Sequence, residues 1–214
     1  MVAASTLALL LFLTPAAPVE SPGPEVAEVM TPDHVAKLSS VGSVALSPDG
    51  AHVAFTRSVQ RVPIEDEDGS AWSELWVFEL ESGEERPFIT GEVSIRSVGW
   101  MPDSEGITFL DKRKGDENTS LYVIPLRGGE ARKALELDDR SVGSYSLSPD
   151  GTRAAVRATA PKGEDDKKYE KKGFKQEIYE EDWRPAELWV ASLFDEESEP
   201  RKIELDGSVY QVDW

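Results

Sequence analysis

The stretch from Val44 to Phe55, VALSPDGAHVAF, sets a turn signal, Ser47-Pro48-Asp49-Gly50, between two apolar runs. The pattern returns as VGWMPDSEGITF (Val98 to Phe109) and as YSLSPDGTRAAV (Tyr145 to Val156). Such a repeat constrains the fold strongly, because each copy must build the same supersecondary unit. Proline presets φ at the second turn position, aspartate tolerates the third, and glycine takes the left-handed fourth. Aligned on Pro48, Pro102 and Pro149, the copies need no gap through the following strand. Val53, Ile107 and Ala154 fall together, and so do Phe55, Phe109 and Val156. These positions keep the alternation of a strand with one buried face. In the second copy Ser104 replaces the glycine, which predicts a strained or reshaped turn.

A third strand follows in each copy: ELWVFEL from Glu74, SLYVIPL from Ser120 and ELWVASL from Glu187. A weaker fourth follows, as in RPFI or ARKAL. The distance from the turn proline to the third-strand leucine (Leu75, Leu121, Leu188) is 27, 19 and 39 residues. Insertions therefore sit between the second and third strands, where a loop lengthens without disturbing the ladder. Four antiparallel strands per unit is the pattern of a β-propeller blade. The fold class read here is all-β, a partial propeller. Its blades span about 41–91, 92–137 and 138–206, and the first strand of a fourth begins at 207–214. A propeller removes its open ends by closing a ring. Three blades and a strand leave two flanks uncovered, which favours reading the chain as the front part of a longer one.

The segment TPDHVAKL predicts a short helix from about Pro32 to Leu38, with Thr31 as cap and Pro32 at the first helical position. The first 17 residues open with an apolar run to Leu13, too short to cross a bilayer. They read as a secretory signal peptide, although no Lys or Arg precedes Lys37; a mis-assigned start or a disordered apolar tail is the alternative. Residues 18–30 read as a linker. The expected location is secreted or periplasmic, with no membrane anchor.

A net charge of −18 argues against nucleic acid as a partner, because phosphate binding needs a basic surface. The absence of cysteine excludes disulfides, thiolate metal sites and a cysteine nucleophile. No Gly-x-Ser-x-Gly elbow occurs, and His34 and His52 are both expected at the surface, so no catalytic triad is expected. No cofactor motif is present and no metal site is assigned. The four acids Glu65 to Asp68 raise a calcium question, but the spacing of a binding loop is missing, and an exposed acidic loop is the expectation. Trp76, Trp100, Trp189 and Trp214 lie on repeat-equivalent strands and are expected to pack in the core.

The stretch MTPDHVAKLSSVGSVALSPDGAHVAFTRS resembles the start of the prolyl oligopeptidase (S9) family of serine peptidases, which includes dipeptidyl aminopeptidases and acylaminoacyl peptidases. The passage ELWVFELESGEERPFITG, followed by SVGWMPDS, is similar to that family's blade-to-blade connection. Propellers of the periplasmic Tol system also use SPDG blades. The resemblance implies that the propeller is not the catalyst. It would cap an α/β-hydrolase domain, absent from this chain, and restrict entry to short or unstructured peptide substrates. The function read is thus the non-catalytic N-terminal propeller region of an exported serine peptidase. The alternative is a secreted or periplasmic protein-binding scaffold with no enzymatic activity.

The longest insertion, APKGEDDKKYEKKGFKQEIYEEDWRPAELWV, carries three readings. Dipeptidyl peptidases of this family grip the substrate's α-ammonium with adjacent glutamates in a propeller insertion. The resemblance assigns that substrate-binding role to Glu180 and Glu181, with Trp183 beside them, although here they lead into a third strand. Alternatively the loop lines an entrance or contacts the hydrolase domain. The third reading is a solvated charged loop.

Overall fold

The computed structural model describes residues 29–62, 64–161, 163, 168, 172–173, 184–195 and 198–214. A single short helix, α1 (Pro32–Ala36), opens the described chain. The Thr31 hydroxyl accepts from the His34 amide at 3.3 Å, the capping bond expected of a threonine before a first-turn proline.

Among the described residues, twelve strands then form three four-stranded sheets, each antiparallel and in chain order. Blade 1 is β1 (Val41–Leu46), β2 (His52–Val59), β3 (Trp72–Glu79) and β4 (Glu85–Ile89). Blade 2 is β5 (Arg96–Trp100), β6 (Gly106–Asp111), β7 (Ser120–Pro125) and β8 (Arg132–Leu135). Blade 3 is β9 (Val142–Leu147), β10 (Arg153–Thr159), β11 (Ala186–Ser192) and β12 (Arg201–Ile203). Registers repeat: Phe55 faces Trp76, Phe109 faces Tyr122, and Val156 faces Trp189. Residues 207–214 lie along blade 3 through separate bonds rather than a ladder. The Val209 amide donates to the Ala186 carbonyl at 2.8 Å, and the Trp214 amide to the Ser146 hydroxyl at 3.1 Å.

The repeated turn has one construction. The Gly50 amide closes on the Ser47 carbonyl at 2.9 Å, and Gly151 closes on Ser148 at 2.8 Å. Ser104 adopts the same left-handed backbone, φ 62°, as Gly50 and Gly151, so the turn keeps its shape and carries strain. Its hydroxyl accepts from the Asp49 amide of blade 1 at 3.1 Å, a bond that glycine could not make.

Cores lie between blades. Between blades 1 and 2, Ala54, Leu75 and Val77 meet Trp100, Ile107, Phe109 and Tyr122. Between blades 2 and 3, Leu110 and Leu121 meet Ala154, Val156 and Ala158. Each large side chain so buried stabilises by roughly 1.5–3 kcal/mol. Polar fasteners recur at equivalent positions. Ile95 donates its amide to the Ser73 carbonyl at 3.0 Å, Val142 to Thr119 at 2.9 Å, and Val209 to Ala186 at 2.8 Å. On the outer strands Arg86 reaches the Leu126 carbonyl of blade 2, and Arg132 reaches the Leu193 carbonyl of blade 3, at 3.1 and 3.0 Å.

Near the inner strands, the Tyr145 hydroxyl donates to the Ser97 carbonyl at 2.8 Å and lies 2.7 Å from the Thr108 hydroxyl. Burial pushes this phenol well above its ordinary pKa, so it stays neutral. Gly99 makes room for it, since a Cβ there would lie 2.9 Å from the Tyr145 oxygen.

Candidate functional site

Antiparallel strands alternate direction, so the start of β5, the β6–β7 loop, the β8–β9 loop, the end of β10 and the start of β11 emerge on one face. There, between blades 2 and 3, a cleft of about 390 Å³ opens. Arg96, Arg140 and Arg184 line it, together with Asn118, Ser141, Val142 and Pro161.

The three arginines are held differently. Arg140 is committed to its own blade. Its guanidinium donates twice to Asp139, at 2.6 and 2.8 Å, bonds to Glu187, and lies 4.8 Å from the Trp189 ring centre. The hydrogen bond to Asp139, with Glu187 beside it, raises its pKa further. Glu187 also takes Lys202 at 3.0 Å, so both of its neighbours neutralise it. Arg96 donates through Nη2 to the Thr119 hydroxyl at 3.0 Å, and Arg184 through Nη1 to the Ala160 carbonyl at 3.3 Å. Among the described residues, neither Arg96 nor Arg184 has a carboxylate within ion-pair distance. Each guanidinium has five N–H donors, so most of theirs remain for a ligand.

The anchors are themselves braced. Thr119 accepts from the Val142 amide and donates its own amide to Ser141 Oγ at 3.1 Å, which ties Arg96 to the join between blades. Ala160 donates its amide to the Pro185 carbonyl at 3.1 Å, closing the root from which Arg184 projects. Ser141 has no histidine partner: His34 lies on α1 and His52 at the opposite end of blade 1, beside its turn. The arrangement can hold a charged group, and among the described residues Ser141 has no base beside it.

No family model matches the chain. Over 137 residues, 64% of this chain and 20% of the relative, it is 30% identical to the peptidase YuxL of Bacillus subtilis (strain 168). The acylaminoacyl peptidase of Pyrococcus horikoshii superimposes with a TM-score of 0.57 at 15% identity, covering 78% of this chain and 26% of that one. The AtxE2 isopeptidase gives 0.58 at 17% identity, covering 82% and 32%. A structure from work on two prolyl endopeptidases gives 0.52 at 19% identity, covering 82% and 24%. The chain is thus similar in sequence to a peptidase and shares the propeller-blade fold of these structures. It spans about a fifth of the length of the curated relative it matches.

Glu180, Glu181 and Trp183, expected to bind substrate, lie outside the described residues. His34 is exposed as expected. His52 is not: its side chain is only 18% exposed, because blade 2 covers it with Trp100, the rings 6.2 Å apart. Of the repeat tryptophans, Trp100 is buried, Trp76 and Trp189 are half-buried under arginines, and Trp214 is 44% exposed. A tryptophan packs in the core only where a neighbouring blade covers its face. The Glu65–Asp68 loop is exposed, and Asp66 accepts the Val62 amide of its own loop at 2.7 Å. The arginine cleft escaped the sequence reading. Its signal was the placement of Arg96, Arg140 and Arg184 at strand ends that the blade topology brings to one face.

Proposed function

We propose that this chain is the non-catalytic propeller region of an exported serine peptidase, gating peptide access to an α/β-hydrolase domain supplied elsewhere in the parent protein. The observation that carries the reading is the 30% identity to a peptidase over 137 residues of a chain whose described residues fold as propeller blades. The apolar leader supports export. In this reading Glu180 and Glu181, flanked by Trp183, grip the peptide's α-ammonium through charge-assisted hydrogen bonds.

The test is peptidase activity of the whole parent protein on substrates graded from tripeptides to small folded proteins. Turnover should fall with substrate size, and the 214-residue chain alone should hydrolyse nothing. A parent protein inert on every peptide overturns the reading in favour of a binding scaffold. The double substitution E180Q/E181Q should raise KM for free-amine peptides and leave that for N-acetylated ones unchanged.

A further inference from the structure

We infer that the cleft between blades 2 and 3 is a carboxylate-binding site, with Arg96 and Arg184 as its ligating residues and Arg140 as the post that shapes it. That the carboxylate belongs to a peptide rests on the proposed function; the carboxylate chemistry does not.

The chain carries a net charge of −18, so its overall field repels anions. A cleft lined by three arginines and one carboxylate, Asp139, runs against that field. Arg140 is neutralised by Asp139 and Glu187 and contributes shape. Arg96 and Arg184 are each pinned by one hydrogen bond to a braced part of the frame. A guanidinium fixed through one nitrogen presents its remaining donors as a preorganised fork, which suits the planar, two-oxygen geometry of a carboxylate. The walls between them are mixed. Val142, Ala160 and Pro161 supply apolar surface, while Asn118, Ser141 and Thr159 supply polar groups. Apolar surface beside paired cations suits the end or side chain of a peptide better than a hydrated inorganic ion. The volume, about 390 Å³, matches one or two residues rather than a folded partner.

The experiment is calorimetric titration of the full chain with four probes. They are an N-acetylated tripeptide with a free C-terminal carboxylate, its C-terminal amide, the amide carrying one glutamate side chain, and inorganic phosphate. The free acid is expected to bind about tenfold or more tighter than the plain amide, the worth of one charge-assisted hydrogen bond. Equal binding of the glutamate-bearing amide assigns the site to side-chain carboxylates; weaker binding assigns it to the chain terminus. Both support the inference.

R96Q and R184Q should each abolish the acid-over-amide preference, and R127Q, an exposed arginine near Glu105 on the opposite face, should leave it intact. Circular dichroism confirms that each variant is folded, and the wild-type acid–amide comparison stands whichever variant folds. Equal affinity for acid and amide overturns the inference. So does phosphate displacing the peptide as well as the peptide itself, or a preference that survives both substitutions. Loss of peptidase activity in the parent protein would sink the proposed function and leave this binding result in place.

Discussion

The inner flanks of the three blades and the outer flank of blade 1 use the same repeat positions and end in opposite environments. At the first-strand position before the turn, Trp100 of blade 2 is 8% exposed and Leu46 of blade 1 is 60% exposed. Trp100 is covered by blade 1 and donates its indole N–H to the Ala45 carbonyl at 2.9 Å. Leu46 faces away from blade 2 with Val44, also 60% exposed. Further out on that flank, Arg57 lies over the Phe55 and Trp76 rings, at 5.6 and 4.1 Å from their centres, and pairs with Glu85. A charged side chain thus covers part of what a neighbouring blade covers elsewhere. The repeat assigns an apolar residue to a position; whether it is core depends on the sheet beside it.

This contrast can be broken most sharply by truncation. Trp100→Ala should cost about 3–5 kcal/mol, as for large core aromatics, whereas Leu46→Ala should stay within about 0.5 kcal/mol. Urea unfolding of the chain reads both, and similar costs would erase the distinction between flanks. Repeating Leu46→Ala in the proposed parent protein sharpens it: a cost rising by a kcal/mol or more shows that something covers this flank there.

At the next level are the fasteners. Tyr145→Phe leaves the Ser97 carbonyl without its inter-blade donor and should cost about 1–3 kcal/mol. Arg132→Ala loses the bond to Leu193 and the contact with Phe194, at about 1 kcal/mol. Its blade 3 equivalent Arg201 is exposed, and Arg201→Ala should be nearly neutral. A third comparison concerns the turn. Ser104→Ala keeps the left-handed strain and loses the bond from Asp49, so it should cost about 1 kcal/mol. Ser104→Gly loses the bond and relieves the strain, so the two effects should nearly cancel.

The smallest expected effect is in the pH profile. Bonds from Ser148, then from Thr152, lower the Asp150 carboxyl from 3.8 to about 2. Because the folded value lies below the unfolded one, its contribution is full above the unfolded pKa and is lost as pH falls through the folded value. Asp150→Asn should flatten the fall in Tm between pH 4 and pH 2, and an unchanged slope would show that this turn carries no titrating stability.

The blade pattern was legible because it is local. A turn proline, a left-handed fourth position and strand alternation all act within about a dozen residues. Even Ser104 was flagged as an anomaly from its place in the repeat, although its cross-blade compensation was not foreseen. His52 was misjudged as exposed because its equivalents, Gly106 and Arg153, differ so widely in kind. Its burial comes from Trp100, more than forty residues away. The cleft was missed for the same reason. Arg96, Arg140 and Arg184 are scattered in sequence, and no spacing rule joins them.

The amino-acid sequence by itself determined that this protein is a series of antiparallel four-stranded units and where each turn falls. Those properties follow from backbone sterics and side-chain alternation, which neighbours in the chain decide. Only the tertiary structure decided which apolar faces became core, which polar groups fasten one blade to the next, and which arginines share a cleft. Stacking twisted sheets side by side brings distant strand ends to one face, and the burial or pairing of a side chain is then set by what lies across that gap.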